Sequence, residues 1–143
     1  MLFANRKLQM KTVIEQLVDF INDAEEKHVY NLWLSDDIMQ VYVRKGRHVI
    51  YSGKLSTTLD IASVTVAEEY QEQGFWTNFL NKAHEMNPWE ATYIENTLNP
   101  VLTTSLFRHG WIPVPNVYPQ SFFLPKDVAK YYDQQFLKQK YGL

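Results

Sequence analysis

The stretch from Leu59 to Met86 limits most strongly what this chain can fold into. Leu59 to Val66 is rich in β-branched residues, which predicts a strand. A polar loop over 67–73 follows, and Gly74 opens a helical pattern that runs to about Met86. A strand that passes through a short loop into a helix is typical of chains that pack helices on a sheet. The stretch therefore favours an α/β arrangement.

A second strand–helix unit follows in the second half of the chain. Ala91 to Ile94 is a short apolar run that predicts a buried strand. Asn99-Pro100 is a typical helix start, with the asparagine at the N-cap and the proline at the first helical position. Gly110 supplies the glycine that commonly ends a helix.

The remaining segments complete a mixed order of helices and strands. They are predicted as a helix over 11–28, a loop over 31–37, strands over 38–43 and 48–51 around a Lys45-Gly46 turn, terminal strands over 111–114 and 121–124, and a final helix over 126–141. This order predicts an α/β (α+β) fold with a mixed central sheet and flanking helices. We expect one domain over residues 1–143, with an N-terminal helix at 11–28, core motifs at 59–111 and C-terminal strands and helix at 111–141.

Composition excludes several classes of protein. The chain has 143 residues, of which 45% are hydrophobic and 21% charged, so it can bury one core. Its net charge of −2 and the lack of a long basic stripe argue against bulk nucleic-acid binding. The absence of cysteine removes disulfides, thiolate nucleophiles and cysteine-ligated metals. No apolar stretch approaches membrane-span length, so we expect no membrane partner and a cytoplasmic location.

The glycine that opens the second helix has a chemical as well as a structural interpretation. The first amides of a helix lack internal partners and lie at the positive end of its dipole, so such a turn can bind phosphate. Gly74 would let the backbone approach a ligand closely. Many strand-to-helix turns carry a glycine for packing alone, and the turn by itself leaves both interpretations open.

Taken together, the two strand–helix units resemble the GNAT N-acetyltransferases. Gln71-Glu72-Gln73-Gly74-Phe75-Trp76 resembles the Gln/Arg-x-x-Gly-x-Gly/Ala motif that opens the acyl-CoA-binding helix of this family. Asn99-Pro100 and the later Gly110-Trp111 resemble its second half-motif. The resemblance covers roughly residues 38 to 124 and implies a GNAT-like mixed sheet with two splayed strands. Trp76 departs from it, since it replaces a small residue and either narrows the amide cradle or turns its ring outward.

The resemblance also implies which residues hold acetyl-CoA as co-substrate. The backbone of Val64 and Val66 would pair with the pantetheine arm, and the amide of Val64 would point at the thioester oxygen. Asn99 would hydrogen-bond the same arm, although it serves equally well as a plain N-cap. The pyrophosphate would lie on the loop and on the backbone amides that open the helix, at Gln71, Gln73, Gly74, Phe75, Trp76 and Thr77.

The implied chemistry needs a base for the amine and an acid for the leaving thiolate. By alternation along the strand, Asp60 shares a face with Ala62 and Val64, and the resemblance makes it the candidate base. The other interpretation of Asp60 is a cap on the turn after Thr57-Thr58. The residue in the position of the family's acidic tyrosine is Phe107, which cannot donate a proton. Tyr118 and His109 are possible substitutes without support from spacing.

No metal site is expected, because the four histidines are not spaced as ligands and cysteine is absent. We therefore predict an acyltransferase that moves an acetyl group from acetyl-CoA to an amine on a protein or a small molecule. The alternative is a GNAT-like module without catalysis that acts through protein–protein binding. The C-terminal aromatic residues Trp111, Tyr118, Phe122 and Phe123 would wall an acceptor pocket or pack in the core or in a homodimer.

Overall fold

The computed structural model describes residues 11–51, 53–97 and 100–142. Within them, six strands form one mixed sheet in the order β1-β2-β3-β4-β6-β5, flanked by α-helices. The strands are β1 (Asn31–Ser35), β2 (Met39–Val49), β3 (Leu55–Val66), β4 (Ala91–Thr97), β5 (Ile112–Pro113) and β6 (Gln120–Pro125). The helices are α1 (Val13–Glu26), α2 (Phe75–Met86), α3 (Pro100–Arg108) and α4 (Val128–Tyr141), with a short 3-10 helix at Glu68–Tyr70. The prediction for Asn99 lies outside the described residues.

The predicted first helix is present as α1, slightly shorter than the periodicity indicates. A capping box starts it: the Thr12 hydroxyl accepts from the Glu15 amide, and the Glu15 carboxylate accepts from the Thr12 amide. Its apolar stripe packs against the sheet through Val13, Leu17, Phe20 and Ala24, all buried. Local sequence signals at both the cap and the stripe explain why this element could be predicted.

Two predictions in the first third of the chain are wrong. Residues 31–35, expected in a loop, form the edge strand β1, which pairs antiparallel with β2. Lys45-Gly46, expected as a turn, lies inside β2, and the chain turns between β2 and β3 instead. The glycine is needed for a different reason: a Cβ on Gly46 would lie 2.0 Å from Oδ2 of Asp60. Gly46 therefore makes room for a buried carboxylate.

A β-bulge divides β3 into two parts. Val43 pairs with Ile61 and Val41 with Val64, so between these pairs two residues of β3 lie opposite one residue of β2. Since Val41 and Val43 share a face, Ile61 and Val64 share that face too. Asp60 therefore lies on the face opposite Val64, and the prediction that regular alternation puts the two on one face is wrong. The extra residue inverts the alternation.

The two central strands separate beyond the bulge. β3 and β4 are parallel and pair from Thr58↔Ala91 to Ile61↔Ile94, after which β3 continues to Val66 without a partner on that side among the described residues. The main core lies on the face covered by α1, α2 and α3, where Leu59, Ile61 and Ile94 are buried. The other face carries a smaller cluster around Tyr93 and Phe123.

The last helix, α4, covers part of this second face. Tyr131 packs on the smaller cluster and contacts the ring of Phe123 edge-on, but no side chain of α4 is buried. Asp127 caps its first turn by accepting from the amide of Lys130. None of the described helices is long and apolar enough to cross a membrane.

Candidate functional site

An open cleft begins where β3 and β4 separate. Its volume is about 740 Å³, and it runs between the end of β3, the loop that leads into α2, the end of β4 and one side of α3. The lining residues that matter below are Ile61, Val64, Val66, Tyr70, Gln71, Gly74, Trp76, Thr77, Ile94 and Glu95. The cleft thus brings together the residues of the first sequence motif, apart from Gln73, with the ends of β4 and α3. Of the second motif, Pro100, Gly110 and Trp111 do not line it.

The backbone of β3 faces this cleft at Val64 and Val66. The amide of Ala67 donates to the carbonyl of Ile38 at 2.8 Å, on the β2 side. Backbone groups along an antiparallel strand point alternately toward the partner and away from it. Thr65 therefore points its N–H and C=O at β2, whereas Val64 and Val66 point theirs away from it. In this part of β3, that direction is the cleft.

The helix that borders the cleft has an open N-terminus. Gly74 is the N-cap of α2, with φ 84°, and no side chain in the described residues caps the helix. Its first amides, at Phe75, Trp76 and Thr77, accordingly lack the partner that a capping side chain would give. A Cβ on Gly74 would meet nothing within 4 Å, so the glycine is required by its left-handed backbone and not by crowding within the protein.

Two glutamines hold the loop that precedes this helix. The side-chain amide of Gln71 donates to the carbonyl of Val66 at 3.0 Å, and that of Gln73 donates to the carbonyl of Glu69 at 2.8 Å. Both side chains thus bind the protein's own backbone. Gln71 ties the loop to the cleft edge of β3, and Gln73 closes the turn that leads into α2.

Trp76 turns inward, so the outward alternative does not occur. Its ring stacks on Phe79, with centroids 6.2 Å apart and planes at 19°, and it packs against the main core. The indole Nε1 is buried and has no hydrogen-bond partner among the described residues. An unpaired buried donor costs free energy, so the ring is held there by packing.

A cluster of charged side chains lies on the second face, beside the point where the strands separate. Asp60 is 2% exposed and is held by three side chains: its Oδ1 accepts from the Thr58 hydroxyl at 2.6 Å, and its Oδ2 lies 2.9 Å from His48 Nε2 and 3.7 Å from the Arg44 guanidinium. Arg44 also pairs with Glu95. We name Arg44, His48, Asp60 and Glu95 the charge cluster.

Within the charge cluster, only Glu95 lines the cleft. Asp60, the carboxylate predicted from the sequence, is enclosed by its partners. The only sequence signal for Glu95 is its position directly after the apolar run of β4.

His48, which contacts Asp60 through Nε2, also stacks on the ring of Tyr93, with ring centroids 3.7 Å apart and planes at 4°. Burial, followed by the nearby Asp60 charge, raises the pKa of Tyr93, while a hydrogen bond from Ser121 opposes the shift.

His48, Asp60 and Glu95 could also be considered as metal ligands. One ligand atom from each lies within 4.8 Å of the other two. The Arg44 guanidinium, however, contacts both carboxylates and supplies positive charge where a cation would have to sit. The arrangement fits an ion-pair network better than a metal centre.

The two candidate proton donors, Tyr118 and His109, and the phenylalanine in the position of the family's tyrosine all lie outside the cleft lining. Phe107 is 52% exposed and packs edge-on against Phe122, while Tyr118 is 91% exposed. His109 Nδ1 lies 2.7 Å from the carbonyl of Ser105, and neither Tyr118 nor His109 lines the cleft. Tyr70, which sequence reasoning missed, does line it. Its position in an acidic loop gives no periodic signal.

Comparisons with solved structures find similar folds. A mutant of the AtaT toxin bound to acetyl-CoA and to the C-terminus of the antitoxin AtaR superposes with a TM-score of 0.53 at 14% identity, over 85% of this chain and 86% of that one. AtaT complexed with acetyl-methionyl-tRNAfMet gives 0.54 at 11% identity, over 82% and 83%. AtaTR bound with acetyl-CoA gives 0.51 at 12% identity, over 80% and 75%.

These likenesses show the fold. The chain has the GNAT-like fold that its two motifs imply, with a mixed six-stranded sheet in the described residues. No family model matches the sequence, and no curated protein matches it either.

Proposed function

We propose that this protein is an N-acetyltransferase that moves the acetyl group of acetyl-CoA to an amine acceptor by direct attack in a ternary complex. The observation that supports it most is the free edge of β3. After the last parallel pair, Ile61↔Ile94, the cleft sides of Val64 and Val66 offer backbone donors and acceptors to a ligand. An extended chain of amides can pair there as an added strand would.

The pantetheine arm of acetyl-CoA is such a chain. It carries two amide groups, which suit the alternating N–H and C=O groups of a strand edge. The carbonyl of Val66 already accepts from Gln71, but a carbonyl oxygen has two lone pairs and accepts a second bond. Asn99, which lies outside the described residues, remains a proposed partner of the same arm through its side chain.

The open N-terminus of α2 is proposed to hold the pyrophosphate. The backbone amides from Gln73 to Thr77 and the positive end of the helix dipole favour an anion there. Gly74 leaves the space in front of its backbone empty. Trp76 takes part through its backbone amide, since its ring packs inward on Phe79.

In the proposed reaction, the neutral amine attacks the carbonyl carbon of the thioester. A C–N bond forms, the C–S bond breaks, and the sulfur leaves as a thiolate that takes a proton. The amide of Val64 stabilises the oxygen that becomes negative in the tetrahedral intermediate. The remaining contribution is positioning, since both reactants are held in one cleft.

Acetyl-CoA itself is the first test. At a ligand concentration of one hundred times Kd, binding to the folded state should stabilise the protein by about 2.7 kcal/mol and raise its Tm. Gly74→Val places a branched residue at a left-handed position in front of the phosphates and should weaken binding at least tenfold. Gly74→Asn is the matched variant, because asparagine tolerates this backbone conformation. It should fold like the wild type and retain more of the affinity than the valine variant.

Two results would contradict the proposal. One is the absence of any acetyl-CoA-dependent shift in the wild-type protein, which would leave a binding module without the cofactor. The other is wild-type affinity in a folded Gly74→Val protein, which would remove the pyrophosphate from the N-terminus of α2. Isothermal titration with CoA distinguishes the two, because it measures Kd independently of stability.

A further inference from the structure

We propose that Glu95 is the catalytic base of this reaction and that the acceptor amine reaches it from the sheet face that carries the charge cluster. This inference rests on the acetyl transfer proposed above. It moves the base from β3, where the sequence suggests Asp60, to β4.

Glu95 occupies the position where the two central strands begin to separate. It follows Ile94, whose pairing with Ile61 is the last parallel pair. Its side chain is 20% exposed and lines the cleft, while Arg44 holds it from β2. A carboxylate fixed at the opening between two strands can contact a molecule on either side of the sheet. It is therefore placed to touch the reacting nitrogen.

Asp60 lacks such access. Its side chain is 3% exposed, and its oxygens are bound by Thr58, His48 and Arg44. The space beside it is closed by the backbone of Gly46. Asp60 is therefore a positioning residue, which orients the guanidinium of Arg44 and, through it, the carboxylate of Glu95.

The charges of the cluster define the class of acceptor. Arg44 supplies one positive charge against the two carboxylates of Asp60 and Glu95, so these three side chains carry one net negative charge. A primary ammonium compensates that charge as it approaches. The cluster thus selects a cationic amine and then deprotonates it.

The two faces of the sheet separate the two substrates. The CoA cleft extends along α2 and α3, on the face of the main core. On the opposite face, the side chains of Arg44 and His48 are 36% and 26% exposed, so solvent reaches the charge cluster. An amine that enters there meets the thioester at the opening between β3 and β4 without displacing CoA.

The proton balance is complete with these groups. The ammonium gives its first proton to Glu95, and the neutral nitrogen then forms the C–N bond. The nitrogen of the tetrahedral intermediate gives a second proton to the departing sulfur, which leaves as a thiol. Glu95, which is partly exposed, returns its proton to solvent; a ring nitrogen of His48 lies within 4.8 Å of one of its oxygens.

The test measures release of CoA with n-butylamine, a simple primary amine, as the acceptor. Glu95→Gln keeps the volume and should lower kcat/KM by about 10²- to 10⁴-fold without changing the Kd of acetyl-CoA. The variant's rate should then rise about tenfold for each pH unit, because an alkylamine with a pKa near that of lysine, about 10.4, must lose its proton in bulk water. Glu95→Asp, with a shorter arm, should lose less activity. Glu69→Gln, on the exposed 3-10 helix, is the matched control and should leave the rate unchanged.

Asp60→Asn distinguishes the role of Asp60 from that of Glu95. As a positioning residue, it should lower kcat/KM about tenfold or less and retain the wild-type pH dependence. A folded Asp60→Asn protein that loses as much activity as Glu95→Gln, or a Glu95→Gln protein within threefold of wild type, would overturn the inference. Acetyl-CoA binding by the wild type without any amine-dependent CoA release would overturn it as well and leave the cofactor site standing. Failure of acetyl-CoA to bind contradicts the proposed function instead.

Discussion

The two halves of β3 belong to one continuous strand but lie in different environments. From Leu55 to Ile61 the strand has β2 on one side and, from Thr58, β4 on the other, and Thr58, Leu59 and Asp60 are all buried. Beyond the bulge, up to Val66, only β2 pairs with it among the described residues, and the other edge lines the cleft. The first half is paired along both edges, whereas the second half keeps one edge without a strand partner in the described residues, and this is the edge that we propose for the ligand.

The comparison shows that backbone and side chains serve different purposes in the two halves. In the first half, the side chains form part of the core and of the charge cluster, and the backbone pairs with β2 and β4. In the second half, Val64 and Val66 still pack against the core with their side chains, while their backbone groups are turned to the cleft. Substitutions that act on the backbone and on the side chains should therefore have different consequences on the two sides of the bulge.

Proline substitution in the second half gives the largest expected effect. Val64→Pro removes an amide that faces the cleft, so the protein should fold and lose about 10²- to 10³-fold in turnover, as expected for an oxyanion donor. Thr65→Pro removes an amide that faces β2 and leaves its carbonyl partner on that strand unpaired, which should cost about 1–3 kcal/mol of unfolding free energy. Val64→Ala retains the amide and is the control for the side chain. Urea unfolding and CoA release measure the two quantities, and equal stability of both proline variants would show that the assigned backbone directions are wrong.

Crowding of Asp60, in the first half of β3, has the next largest expected effect. Gly46→Ala places a methyl group 2.0 Å from Asp60 Oδ2, so the carboxylate must move, and we expect a loss of about 1–3 kcal/mol in unfolding free energy. Asp60→Ala removes the obstacle. In the double variant, Gly46→Ala should therefore cost much less than it does alone, and additive losses in this double-mutant cycle would contradict the contact.

The smallest effect is expected at Trp76, beside the cleft. Trp76→Phe keeps an aromatic ring on Phe79 and deletes the buried donor that lacks a partner in the described part of the chain. The gain from removing an unpaired N–H and the loss of ring volume oppose each other, so the unfolding free energy should change by less than about 1 kcal/mol. The Kd of acetyl-CoA should stay within twofold in a calorimetric titration. A clear loss of affinity would instead assign the indole N–H to the ligand.

Local signals carried most of the sequence prediction. The stripe and cap of α1, the strand and helix on either side of Gly74, and the helix that ends near Gly110 all depend on residues close together in the chain. The fold class followed from their order. Edge strand β1 was missed because four of its five residues, Leu32 and Trp33 among them, are exposed, so it lacks the one-sided burial that marks a strand.

The site was harder to predict because its features are non-local. Gly46 resembles a turn residue until Asp60, far away in sequence, is seen to occupy the space beside it. The bulge leaves no mark in the composition of β3, yet it reverses which residues share a face. For that reason the prediction from regular alternation put Asp60 on the same face as Val64. Glu95 lies on another strand, and the sequence prediction gave it no role.

The bulge also bears on how β2 and β3 find their alignment during folding. In a regular antiparallel pair, a slip of two residues leaves every side chain on its original face, so long hairpins can pair in several near-equivalent ways. Here such a slip would move the extra residue of β3 away from Tyr42/Val43, where the ladder accommodates it. It would also take Asp60 from its place opposite Arg44 and leave a buried carboxylate without its cation. The bulge beside which the cleft begins thus selects one alignment of the hairpin over its neighbours.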